Sequence, residues 1–93
     1  MKTFKDVVFK QHKIGKGNIQ GLLMLDNGIE FSIVAGEGMY STGKGGVREA
    51  VDKAKDASTF EVAIFDQAGN FIGAEVLGWQ SREDIDNILK ENS

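Results

Sequence analysis

The sequence contains no cysteine, which removes disulfide staples, thiol nucleophiles and every zinc site built on thiolates. Stability therefore has to come from a packed core or from self-association. Long apolar runs are missing too. None is longer than Leu22 to Leu25, far short of the roughly 20 residues that cross a bilayer. Met1 to Lys10 has no apolar centre of the kind a signal peptide carries. The expected location is the cytoplasm, with no membrane partner. Histidine occurs once, as His12 between Lys10 and Lys13. No serine or carboxylate stands at a recognisable spacing from it, and no metal-binding motif is present. Neither a catalytic residue nor a metal or cofactor site is assigned, and the expectation is a protein that is not an enzyme.

What is present suffices for one folded domain. A chain of 93 residues can bury one hydrophobic core but has too little interior for two, so a single domain spans 1–93. An apolar fraction of 41% beside a charged fraction of 27% is that of ordinary globular chains and argues against disorder. The net charge of −3 is unevenly placed: Lys2, Lys5, Lys10, Lys13 and Lys16 lie early, whereas Glu83, Asp84, Asp86 and Glu91 crowd the end. The early strip has no arginine and only Phe4 and Phe9 for stacking, so nucleic acid is not an expected partner. Opposed charges at the two ends favour head-to-tail contacts between copies, and an exposed sheet edge could pair two chains into a homodimer. The acidic end offers a negative surface to a basic partner.

Periodicity then places the elements. Phe4 to Phe9, "FKDVVF", is rich in strand formers and reads as a first strand. In "NIQGLLMLDNGIEFSIVAG" the Asn27-Gly28 pair supplies the positive φ of a tight hairpin. Ile29, Phe31 and Ile33 alternate with Glu30 and Ser32 after it; Ile19, Leu23 and Leu25 share a parity before it, with Gly21 as a bulge site. A second hairpin follows in "TFEVAIFDQAGNFIGAEVLGW", where Phe60, Val62 and Ile64 share one side, "DQAGN" turns the chain and Phe71 to Val76 returns. Between the hairpins Val47, Ala50, Val51 and Ala54 fall at helical spacing, predicting a short helix over 47–56. Ser81 caps a final helix with Ile85, Ile88 and Leu89 on its apolar face, and Asp84 completes a capping box. Trp79 is expected to pack on that helix or on the sheet edge. The sum is an α+β domain: a small, mostly antiparallel sheet of two hairpins plus an N-terminal strand, with a C-terminal helix packed on it.

The stretch "GEGMYSTGKGG", Gly36 to Gly46, holds the one motif with chemistry attached. Gly38 to Lys44 has the spacing of a phosphate-binding loop, but the next position must offer a hydroxyl to magnesium and is Gly45. Hairpin signals also exclude the parallel sheet such hydrolases need. A milder reading keeps Tyr40, Gly43, Lys44 and Arg48 as an anion or nucleotide site, with glycine N–H groups near the anion, cationic side chains at a helix start and Tyr40 against a base. The plainer reading, a mobile glycine-rich loop, is favoured.

The order of segments carries one further signal. "FKQH", "LDNGIEFSIVAGEGMYS", "FEVAIFDQAGNFI" and "VLGWQSREDIDNILKE" resemble a set of small cytoplasmic proteins encoded by tailed bacteriophages and prophages. Those proteins carry an "SIxxGxGxY" strand end, an "EVAxxDxxGxF" strand and turn, and a final "GYxxxEDVxxxLxKI" helix. The resemblance covers most of the chain outside Lys44 to Ser58 and includes no catalytic motif. It implies phage origin and a shared strand and turn before Tyr40. The leading expectation is thus a non-enzymatic, phage-encoded accessory protein that binds a host protein, one of the host's defence proteins. The alternative is an oligomeric protein that sequesters a nucleotide signal at Tyr40, Gly43, Lys44 and Arg48.

Overall fold

Alternating apolar residues build most of the sheet. The computed structural model describes residues 1–93. Its strands are β1 (Phe9–Gln11), β2 (Asn18–Met24), β3 (Glu30–Gly36), β4 (Thr42–Gly43), β5 (Gly46–Val47), β6 (Phe60–Phe65) and β7 (Leu77–Gln80), followed by the helix α1 (Arg82–Asn92). Five of them form one antiparallel sheet in the order β1-β2-β3-β6-β7, and β4 pairs with β5 alone. A period of two sends Ile19, Leu23, Phe31, Ile33, Phe60, Val62 and Ile64 to one face, where all are buried. Ile85 and Leu89 of α1 join the same core and are fully buried. This is the expected α+β domain.

Local chemistry fixes the turns and the helix start. Around Asp26, Asn27 and Gly28, the Leu25 N–H donates to Ile29 O at 2.8 Å and the Gly28 N–H to Leu25 O at 3.0 Å. Gly28 supplies the left-handed residue, with φ 87°. The β6 turn repeats this pattern, with Asp66 Oδ1 accepting from the N–H groups of both Ala68 and Asn70 at 2.9 Å. At α1 the Ser81 hydroxyl accepts from the Asp84 N–H at 3.1 Å while Asp84 Oδ2 accepts from the Ser81 N–H at 2.9 Å. Arg82 then turns inward. Its guanidinium lies 5.2 Å from the ring centres of Phe4 and Phe60 and donates to Ala54 O and Ala57 O at 2.8 and 2.9 Å.

Several sequence expectations are corrected. Phe4–Asp6 is a 3-10 turn, not part of a strand; the Phe4 ring packs on Phe9 and Phe60, and the strand begins only at Phe9. Burial of that ring among aromatics outweighs extending the sheet edge by a few residues. Gly21 is no bulge: it sits in register between Phe9 and Ile33, and a Cβ there would run into Val7 and the Phe9 ring. The predicted helix over 47–56 does not form. Val47 is exposed in β5, Arg48 is left-handed, and only Val51 of the apolar set is fully buried, its N–H donating to Gly17 O at 2.8 Å. A face of two valines and two alanines buries too little to hold a helix, and one buried anchor with a backbone bond to the β1–β2 turn wins. A 3-10 turn at Ala54–Asp56 is the only helical piece there.

The second hairpin is also less regular than its pattern. Phe71 makes a single bridge to Phe65, the chain leaves the sheet, and the return strand is Leu77–Gln80, with a register break opposite Phe60 to Val62. The glycine-rich stretch, finally, is a hydrogen-bonded unit. The Gly36 N–H donates to Ser41 Oγ at 3.0 Å, the Arg48 N–H to Ser41 O at 2.8 Å, and the Ser58 N–H to Thr42 O at 2.9 Å. Ser41 is fully buried at its centre, so the short β4–β5 hairpin is tied to the sheet at both ends.

Candidate functional site

The firmly tied stretch ends in an exposed aromatic residue. Tyr40 leaves the turn after β3, its N–H donating to Glu61 Oε1 at 3.1 Å and its carbonyl accepting the Trp79 N–H at 2.9 Å. Its side chain lies on Gly78, where an added Cβ would come within 2.8 Å of the Tyr40 Cβ. Only the missing side chain lets the two strands of backbone approach so closely. The Tyr40 and Trp79 rings stand 5.9 Å apart at 46°, and each residue is 45% exposed. Arg48 completes the group. Its guanidinium is 5.1 Å from the Tyr40 ring centre and donates to Gly38 O at 2.8 Å.

The backbone here is unusual as well. Arg48 and Trp79 are the only residues other than glycine with positive φ, 60° and 59°, and both contact Tyr40. A left-handed residue with a side chain costs about 1–2 kcal/mol, and strain of this kind concentrates at functional sites. The trio thus sits on the surface on backbone that costs free energy to adopt. An open cleft of about 390 Å³ beside the pair is lined by Tyr40, Glu75, Val76, Gly78 and Trp79.

Of the residues singled out by sequence, Tyr40 and Arg48 meet. Gly43 is buried in β4 against the backbone of Glu49 and Ala50. Lys44 is exposed at the tip of the β4–β5 turn. No α-helix follows the loop, so the helix start expected beside Lys44 and Arg48 is not formed there. Trp79 was the residue missed. It stands on the edge strand, as one of its two expected placements has it, with its ring against Tyr40. The glycine directly before it, in so short a strand, was the available sign of a bulge. His12 stays a turn residue, its Nδ1 accepting from the Ile14 N–H at 3.1 Å.

Trp, Tyr and Arg are the side chains that most often carry binding energy in protein interfaces, the two aromatic ones because they bury large area for few rotatable bonds and Arg because its planar guanidinium both stacks and donates hydrogen bonds. Their grouping on a fixed backbone suits recognition by stacking and apolar burial. No helix of the protein is long and apolar enough to cross a membrane. No protein-family model, curated protein or solved structure matches the chain.

Proposed function

We propose that this is a non-enzymatic binding protein of phage or prophage origin, acting in the bacterial cytoplasm by capturing a host protein through a surface centred on Tyr40, Trp79 and Arg48. One observation carries the binding role: an exposed aromatic pair and a stacked guanidinium fixed by strained backbone. Each of the two aromatic residues is 45% exposed, so a partner that covers them removes further apolar area from water. The phage origin, and a defence protein as the target, rest on the resemblance of the segment order described above. The test is retention of a host protein from bacterial lysate by the wild-type chain and by Trp79→Ala. The reading expects a defined complex that the variant loses while remaining folded; equal retention by both would overturn it.

A second reading is favoured by the stacking of Arg48 on Tyr40, since an aromatic face beside a guanidinium can hold a base and a phosphate. In that reading the protein is an oligomer that sequesters a nucleotide signal. Native mass spectrometry separates the two, because a nucleotide appears as a mass excess on the native species that is lost on denaturation.

A further inference from the structure

The Tyr40–Trp79 cleft shares a wall with a second cleft on the side of β7 that faces α1. This one measures about 460 Å³, within the range of specific binding clefts, and is walled by Ile64, Ile72, Leu77 and Ile88 together with Glu75 and Glu91. Glu75 lines both clefts. Ile72 and Leu77 are each 38% exposed, although they border the core and have apolar neighbours within reach. An apolar trough is therefore open on one side of the Glu75 ridge and an aromatic pair on the other.

The charge around these clefts is one-sided. Glu75 lines both clefts and Glu91 lines the trough, whereas Asp84 caps the start of α1 and Asp86 accepts the Phe4 N–H. Arg82 is spent inward, on two carbonyl groups and two phenylalanine rings; Arg48 lies over Tyr40 and is bonded to Gly38 O, and no lysine or arginine lines either cleft. We propose that the ridge from Gly73 to Leu77 docks a basic segment of the captured protein, in which two apolar side chains flank a lysine or arginine. One apolar side chain enters the trough between Leu77 and Ile88, the other lies against Tyr40 and Trp79, and the cation between them meets Glu75. Glu91 attracts a further cation at the helix end of the trough. Charge complementarity selects this occupant, because an acidic or neutral segment of the same apolar pattern would bring its chain to uncompensated carboxylates. The inference rests on the proposed function and specifies the chemistry of the partner.

The experiment uses the full chain and a capped hexapeptide of alternating leucine and lysine, with its leucine–glutamate counterpart as control, read by amide chemical shifts and by the fluorescence of Trp79, the sole tryptophan. The leucine–lysine peptide is expected to shift Glu75, Leu77, Ile88 and Trp79 saturably. The double variant Glu75→Gln, Glu91→Gln, which changes exposed side chains only, should weaken binding about fivefold, as two exposed ion pairs would. Added salt should weaken it in the same direction. Absent shifts, an equal response to the leucine–glutamate peptide, or an unchanged affinity in the double variant would each overturn the proposal. So would concentration-dependent shifts of the free protein at both Glu75 and Lys10, which would make a second copy the occupant. A host protein lost by Trp79→Ala, together with a peptide that does not bind, overturns only this inference. A peptide that binds as described, with no host protein retained, overturns only the proposed function.

Discussion

The backbone N–H of Trp79 donates to the carbonyl oxygen of Tyr40 at 2.9 Å, and the rings of the two residues meet at 5.9 Å between centroids. The main chain thus positions the pair before the side chains choose their rotamers. Little conformational entropy is left to lose when a partner covers them, and preorganised anchors of this kind contribute most to affinity.

Trp79→Ala and Tyr40→Ala should accordingly separate stability from binding. Each side chain is 45% exposed, so the expected loss of folding stability is about 1 kcal/mol. The loss of binding free energy should be about 2 kcal/mol or more for each, the range of interface anchors. Calorimetric titration of the captured protein, set beside denaturant unfolding of the same variants, measures both.

Arg48 gives a sharper contrast because two substitutions remove the same side chain. With φ 60° at this position, Arg48→Gly should be more stable than Arg48→Ala by about 1 kcal/mol, the cost of a left-handed residue that carries a Cβ. Both should weaken binding alike, since both lose the guanidinium over the Tyr40 ring. Denaturant midpoints of the pair check the first statement and titrations the second.

Gly78→Ala tests the support under Tyr40. The new methyl would lie 2.8 Å from the Tyr40 Cβ, so either the tyrosine or the β7 bulge has to move. The expected cost is about 1–3 kcal/mol of stability, as for other overpacked contacts. Trp79 fluorescence should change in the free protein, because its ring loses its fixed distance to Tyr40.

The helix start carries a pH signature. The Asp84 carboxyl is held below its ordinary value of 3.8, first by the backbone N–H of Ser81 and then by the Ser81 hydroxyl. A folded-state value below the unfolded one makes a stabilising contribution that is full above the unfolded value and is lost as pH falls through the folded one. Wild-type stability should therefore drop by an extra increment as pH is lowered from about 4, and Asp84→Asn should lack that increment. Ser81→Ala, which removes the cap, should cost about 1 kcal/mol at neutral pH. Helix content and denaturant midpoints across the acid range decide both.

What the sequence made legible was local. The turn glycine at Gly28, the alternation through Phe31 and Ile33, and the Ser81–Asp84 box each act within a few residues, and each stands in the structure. The helical spacing of Val47, Ala50, Val51 and Ala54 misled because it competed with a contact far along the chain, the bond from the Val51 N–H to Gly17 O. The return strand was displaced for a similar reason. Apolar Phe71 and Ile72 match the strand pattern, but Gly78 and the left-handed Trp79 set where β7 can pair with β6. Two of the three site residues, Tyr40 and Arg48, were visible in the glycine-rich stretch. The third, Trp79, comes from a distant part of the chain, and no local pattern links it to Tyr40.

The most direct measurement is a quantitative capture from bacterial lysate with the wild-type chain, Trp79→Ala and Tyr40→Ala, each first shown to be folded by its thermal transition. The account predicts a host protein retained in stoichiometric amount by the wild type and lost by both variants. Retention of the same protein in equal amount by all three, or no retained protein at all, would contradict it.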